Sequence, residues 1–248
     1  MLILVPASEG KAAEGDGPPV RELSFPALDR ARKRVMSALI KVSRRRDALD
    51  VLGLTPGLAG EPAKNLVVRT APTLTAAALY TGVLYENLDL GSLIGVARER
   101  AEESVFIFSG LWGVLRITDR VPPYRLSMGV NLPPLGGLAA FWRSFVSDEL
   151  DRLPGLVVDL RSAAFAGAWR PGERSVAVRV FRDGRVVSHM AKATRGKIAR
   201  SLLRTNADPA TPDELAKVLD ELGYAVHLTE PAGPKRPWTL DVHLRVNR

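Results

Sequence analysis

Hydrophobic and polar positions follow two different periods along this chain, and the switches between them mark out its elements. Residues 2–5 are an unbroken apolar run closed by Pro6, which predicts a buried strand. Residues 7–19 are rich in Gly, Pro and acid and read as a loop. From 26 to 46 the pattern turns helical: Leu28, Val35, Leu39 and Val42 share a stripe, and Arg30, Lys33, Arg34, Lys41, Arg44 and Arg45 lie mostly off it. A loop with Gly53, Pro56, Gly57, Gly60 and Pro62 follows, then short helices over 73–80 and 92–103. Residues 105–108 (Val-Phe-Ile-Phe) predict a buried strand, and 110–134 read mostly as turns, a length of irregular chain that is often functional. A helix over 137–150 and a strand over 156–160 come next.

The last third reads the same way. Residues 175–181 alternate apolar and polar, and Asp183-Gly184 signals a hairpin turn before Arg185-Val186-Val187. Residues 192–204 are helical. Thr211-Pro212-Asp213-Glu214 is a capping box that opens a helix ending at Leu222-Gly223. Strands over 224–228 and 240–246 complete the chain. This mixed order predicts an α/β (α+β mixed) fold, one domain over residues 1–248, with a mixed sheet flanked by helices. No internal repeat and no linker is visible.

Composition narrows the classes. Hydrophobic residues make up 46% of 248 and charged residues 25%, which excludes a mainly disordered chain. No apolar run approaches the ~20 residues that span a bilayer, so no membrane role and a cytoplasmic location are expected. Cysteine is absent, which removes disulfides, thiolate nucleophiles and Cys-type zinc sites. The net charge of +8 favours polyanionic partners, although charge alone equally serves solubility.

Several chemistries can be weighed on spacing. Pro6-Ala7-Ser8-Glu9-Gly10-Lys11 follows a strand as a phosphate loop does, but lacks the earlier Gly and has Ala12 where Ser or Thr belongs. Lys11 remains a loop cation able to reach an anion. His189, His227 and His243 are far apart, so neither a metal site nor a cofactor is expected. No Gly-x-Ser-x-Gly elbow is present. In the helix over 191–204, Ala191, Ile198, Ala199 and Leu202 share a face, with Lys197, Arg200 and Arg204 opposite. Arg195 falls in the middle of the apolar face, where a charge needs a partner or a cleft, and Lys192 lies at its edge. Gly196 weakens this helix by about 1 kcal/mol, which suggests a close approach to its backbone. Arg195 reads as either a structural ion pair or a phosphate ligand. Ser109-Gly110-Leu111-Trp112-Gly113 and Pro123-Tyr124-Arg125 place aromatics beside Arg116 and Arg125, as core or as a pocket. Residues 49–59, after Arg44-Arg45-Arg46, resemble a helix-hairpin-helix turn, in which backbone N–H groups meet a phosphate.

Taken together these strings resemble the YaaA family of bacterial peroxide-stress proteins, also called UPF0246 or DUF328. The family's Ser-Gly-Leu-Tyr-Gly-x-Leu-Arg-x-x-Asp stands at Ser109 to Asp119 with Trp112 for Tyr, and its Pro-Tyr-Arg-Leu-x-Met-Gly is unchanged at Pro123 to Gly129. Phe141-Trp142 matches a Phe-Trp pair, and Ala-Lys-x-x-Arg-Gly-x-x-x-Arg stands at Ala191 to Arg200. Two motifs depart. Asn-Leu-Ala-Ser-x-x-Tyr becomes Asp159-Leu160-Arg161-Ser162-Ala163-Ala164-Phe165, and Gly-Asp-Val-Tyr-x-Gly becomes Gly82-Val83-Leu84-Tyr85-Glu86-Asn87, with Asn87 able to take a glycine's left-handed backbone.

The resemblance implies a domain of unusual topology with a basic cleft, a helix-hairpin-helix element and duplex DNA as partner in protection against peroxide. It brings no accepted catalytic reaction. On this reading Lys11, Arg116, Arg125, Lys192, Arg195 and Arg200 line the cleft, supported by Ser8, Ser109 and Tyr124. The rival reading is an enzyme acting on a small phosphorylated or carboxylated substrate in the same pocket, with a lysine as base or nucleophile.

Overall fold

The computed structural model describes residues 1–182, 185–186 and 188–244. Its spine is an eight-stranded sheet: β1 (Leu2–Pro6), β2 (Val105–Ser109), β3 (Gly113–Arg116), β4 (Val157–Asp159), β5 (Ser175–Arg182), β6 (Arg185–Val186), β7 (Ala225–Thr229) and β8 (Trp238–His243). The order is β7-β8-β5-β4-β1-β2-β3, with β6 paired to β5. β8, β5, β4, β1 and β2 are mutually parallel, and β3, β6 and β7 run antiparallel to their neighbours. Parallel strands lie between covering layers, which is why β1 and β2 read as continuous apolar runs rather than alternating ones. Leu2 to Val5 and Val105 to Ser109 are all buried.

Connectivity locates the place where a site is expected. From β1 the chain passes to β2 and β3 on one side, then returns to β4 on the other. The carboxyl ends of β1 and β4 therefore feed connections that diverge, and crevices at such points are the usual ligand sites of open α/β sheets.

Six longer helices accompany the sheet: α1 (Asp29–Ser43), α2 (Val83–Leu88), α3 (Gly95–Ser104), α4 (Leu138–Leu150), α5 (Ser188–Arg204) and α6 (Pro212–Glu221). In α1 the stripe foreseen from the pattern is buried: Leu28 just before it, then Val35, Leu39 and Val42. Arg32 is buried as well. Its guanidinium donates to the carbonyls of Trp112, Val114, Ser24 and Phe25 and pairs with Asp29 at 2.9 Å, tying α1 to the β2–β3 hairpin. The Thr211 cap forms, its Oγ1 accepting from Glu214 N at 3.2 Å, but the Glu214 carboxylate reaches back one residue further than a capping box requires and accepts from Ala210 N. α2 packs on α5, and the contact is closest at Gly196. A Cβ there would lie 2.9 Å from Asn87 Cβ and 3.0 Å from Leu88 N, with Leu84 O nearer still.

Some expectations need correcting. Residues 73–80 begin with a short strand, Leu74–Thr75, paired with Arg120–Val121, before a four-residue helix. β3 lies in the stretch read as turns, because its four residues are too few to show a period. α2, at six residues, is too short to show a helical period in the sequence. Asn87 is helical, with its amide bonded to Val83 O at 2.7 Å, and the left-handed residue is Asp89, at φ 47°. The region over 49–59 holds the end of a five-residue helix, Ala48–Leu52, Gly53 at φ 64° and a 3-10 turn, Pro56–Leu58; the next helix, Pro62–Leu66, begins beyond it. The Asp183-Gly184 turn lies outside the described residues.

Candidate functional site

The SGLWG motif is first a piece of backbone engineering. Ser109 ends β2, and its Oγ accepts from Leu111 N (3.2 Å) and Trp112 N (3.1 Å), closing a tight turn into Gly113. Gly113 needs φ 74° and meets the face of Trp142, where a Cβ would lie 2.8 Å from the ring. Trp142 Nε1 donates to Gly110 O at 2.8 Å. Asp119 closes the motif by accepting from Ser24 N, Ser24 Oγ and Arg116 N.

This turn presents Ser109 Oγ to two tyrosines. It lies 2.7 Å from Tyr124 Oη, which is 3.0 Å from Tyr80 Oη. Because both acceptor positions of Ser109 Oγ are taken by backbone N–H groups, its own hydrogen points to Tyr124. Tyr85 donates to Pro6 O at the end of β1. Burial pushes Tyr80 up to about 12 and raises Tyr124 and Tyr85 well above the ordinary phenol value, so all three stay protonated.

Lys11 lies over these rings. Its Nζ is 4.4 Å from the Tyr124 ring centre and 5.6 Å from that of Tyr80. It donates to Ser8 O at 2.8 Å and to Glu9 O at 3.5 Å. Among the described residues it forms no ion pair. Burial lowers it to about 8, with Glu9 pulling upward and Arg125 downward. Arg125 is held next to it. The Asn65 side chain brackets its backbone, accepting from Arg125 N at 2.8 Å and donating to Arg125 O at 3.0 Å, and the guanidinium meets the Glu9 carboxylate at 3.1 Å. The Ser8 hydroxyl turns back onto Gly10 O, so it shapes the loop.

Lys11, Arg125, Ser8, Ser109 and Tyr124 therefore do come together, with Tyr80 and Glu9 added. The other predicted cations have different surroundings. Arg116 pairs across from Phe106, at the opposite end of β2 from Ser109. It stacks on the Phe106 ring at 4.2 Å and donates to the carbonyls of Glu102 and Glu103, which makes it an internal tie. Arg200 donates to Leu88 O, Asp89 O and Ser92 Oγ and pairs with Asp89 at 3.4 Å, closing the carboxyl end of α2. Arg195 reaches β5, where it donates to Val178 O at 3.1 Å. Burial lowers its pKa, and the neighbouring Asp159 charge opposes that shift. Lys192 is exposed. The six cations thus serve several places, because carbonyl oxygens and carboxylates of the chain itself take up most of their donors.

One surface was not read from the pattern as a feature in its own right. Arg30, Lys33, Arg34, Lys41 and Arg44 are all exposed. At ~100° per residue they fall within a sector of about 100° along α1, some 21 Å long at ~1.5 Å per residue. Arg69 joins its edge by donating to Ser37 Oγ at 2.9 Å. Asp29 is paired with Arg32 and Asp47 with Arg45, which leaves the stripe a single sign. The signal was present in the 3–4 spacing of the polar positions.

The chain was then compared with known proteins. A family model described as peroxide stress protein YaaA matches residues 1–229. The chain belongs to this family. A UPF0246 protein of Streptomyces coelicolor is 50% identical over 254 residues, covering 98% of both chains. One of Corynebacterium efficiens is 38% identical, covering 98% of this chain and 100% of the relative, and one of Shewanella pealeana is 31% identical over 90% and 93%. Against this YaaA background the departures at 159–165 acquire a structure. Asp159 and Arg161 replace Asn and Ala together, and they pair with each other by two hydrogen bonds of 2.9 and 2.7 Å. Among the described residues, no helix is long and apolar enough to cross a membrane.

Proposed function

We propose that this YaaA-family protein serves the peroxide stress response by holding duplex DNA through sequence-independent phosphate contacts. The observation that carries the reading is the exposed, one-signed face of α1. Five exposed cations along about 21 Å suit a row of phosphates, Arg34 among them resting over the Phe141 ring at 5.0 Å, and their long stems let the heads settle on the nearest oxygens. With five phosphates neutralised, log affinity falls with log salt at a slope near −4.5, or roughly 500-fold between 50 and 200 mM salt.

Fluorescence anisotropy with a labelled duplex tests this. Replacing Arg30, Lys33 and Lys41 by Gln should flatten the slope by about 2.7 and weaken random and specific sequences alike. Affinity that ignores salt, or ignores the triple substitution, removes the reading.

A second reading, an enzyme acting on a small carboxylated substrate, is favoured by one observation: a half-buried lysine over two tyrosine rings beside an arginine that already holds a carboxylate.

A further inference from the structure

Resting on that second reading, we propose that the Lys11 amine forms an imine with small oxo acids, whose carboxylate takes the place of Glu9 on Arg125. The geometry supplies both halves. Arg125 presents its guanidinium to the Glu9 carboxylate 3.1 Å away, and Lys11 Nζ and Arg125 Nη1 both donate to Glu9 O, at 3.5 and 3.3 Å, which puts the two nitrogens within reach of the carbonyl and carboxylate ends of a two-carbon oxo acid. Glu9 is half exposed and free to swing out, whereas the Arg125 backbone is fixed by Asn65.

The amine is also in the right form. Its neighbours are the carbonyls of Ser8 and Glu9 and two aromatic faces, which leaves the ammonium poorly compensated. With its pKa near 8, about a tenth of Lys11 is neutral at pH 7. That is about 300-fold more than for a lysine of ordinary pKa. The neutral nitrogen attacks the carbonyl carbon, forming a C–N bond and a carbinolamine. The nitrogen loses a proton and the hydroxyl leaves as water, giving the imine, so that amine plus carbonyl yields imine plus one water.

Glyoxylate with cyanoborohydride, followed by peptide mapping, tests the proposal. Hydride reduction of the imine leaves N-carboxymethyl-lysine. Lys11 should be modified at least tenfold faster than the exposed Lys33, Lys41, Lys192 and Lys197 at pH 7. Glu9→Gln should accelerate it, since it removes the competing carboxylate and the charge that raises Lys11. Arg125→Gln should remove the preference for glyoxylate over acetaldehyde. Modification spread over the exposed lysines, with Lys11 not favoured, overturns the imine. If glyoxylate still raises the melting temperature in an Arg125-dependent way without any adduct, the imine falls and the pocket reading stands; loss of both effects removes both.

Discussion

Asp159 and Arg161 form the pair whose coupling is most open to measurement. Arg161 has a fully buried side chain and Asp159 is 11% exposed. The guanidinium also donates to Phe165 O and Trp169 O and lies 4.2 Å above the Phe108 ring. Asp159→Asn preserves shape and removes the charge, leaving a buried guanidinium without its counter-ion, at a cost of about 3 kcal/mol. Arg161→Ala loses the pair, two carbonyl bonds and the ring contact, about 4 kcal/mol. The double variant Asp159→Asn/Arg161→Ala restores the family's own letters. It loses the carbonyl bonds and leaves a void, but no uncompensated charge remains, so its cost should be near 4 rather than the additive ~7 kcal/mol. Urea unfolding of the four proteins at pH 7 gives the coupling directly, expected at about 3 kcal/mol. Additivity within ~0.5 kcal/mol would refute the reasoning, because it would mean that the two charges are solvated independently.

Other substitutions test separate joints. Gly196→Ala gains about 1 kcal/mol of helix propensity but pushes a methyl into the α2 backbone, so a net loss of roughly 1–2 kcal/mol is expected in urea unfolding; any stabilisation would show that α2 does not press on α5 there. Arg32→Met takes a donor from the buried carbonyls of Trp112 and Val114 and from the part-buried Ser24 O, and should cost about 3–5 kcal/mol by the same measurement. Thr211→Ala removes one cap bond, an expected loss of about 1 kcal/mol by thermal melting. Lys11 makes stability depend on pH. Its folded pKa of about 8 lies below the unfolded value of 10.5, so between them the unfolded chain binds more protons and stability rises with pH. The full cost, roughly 3 kcal/mol, is present below pH 8. Lys11→Met should therefore be more stable than the parent at pH 7, with the difference shrinking by pH 9.5 in paired urea titrations.

What the pattern made legible was whatever is set by local period. The apolar runs of β1 and β2 and the stripes of α1 and α5 are consequences of burial on a fixed repeat, and they stand where expected. Gly196, out of place in a helix, pointed to a close neighbour, and α2 is that neighbour. Short elements escaped: β3 has four residues and α2 six, fewer than the repeat needed to reveal a period. The site was legible in part. Lys11, Ser109, Tyr124 and Arg125 do converge, yet Tyr80 and Glu9 were invisible because nothing local marks a residue brought in by a β-bridge or by a loop's own carboxylate. Arg116 and Arg200 stand apart from these four, and the letters do not say so for a related reason. A guanidinium that ties carbonyls together carries the same letter as one that binds phosphate.

That ambiguity bears on where a polyanion would be held. Arginines such as Arg116, Arg161 and Arg200 have N–H donors spent on Glu102, Glu103, Trp169, Leu88 and Asp89. Turning any of them to a phosphate would take donors from these carbonyls, and at the buried Trp169 O the loss costs about 1–3 kcal/mol. The α1 cations have no such obligation, and each can release a counterion without disturbing the core. The two functions proposed here therefore divide along a physical line. Solvated cations on a helix face suit a long, repetitive anion, and the poorly solvated Lys11, with one arginine beside it, suits a small one. If DNA affinity depended on Arg116 or Arg200 while the α1 stripe was dispensable, this division would be wrong, and the fold would have to rearrange on binding.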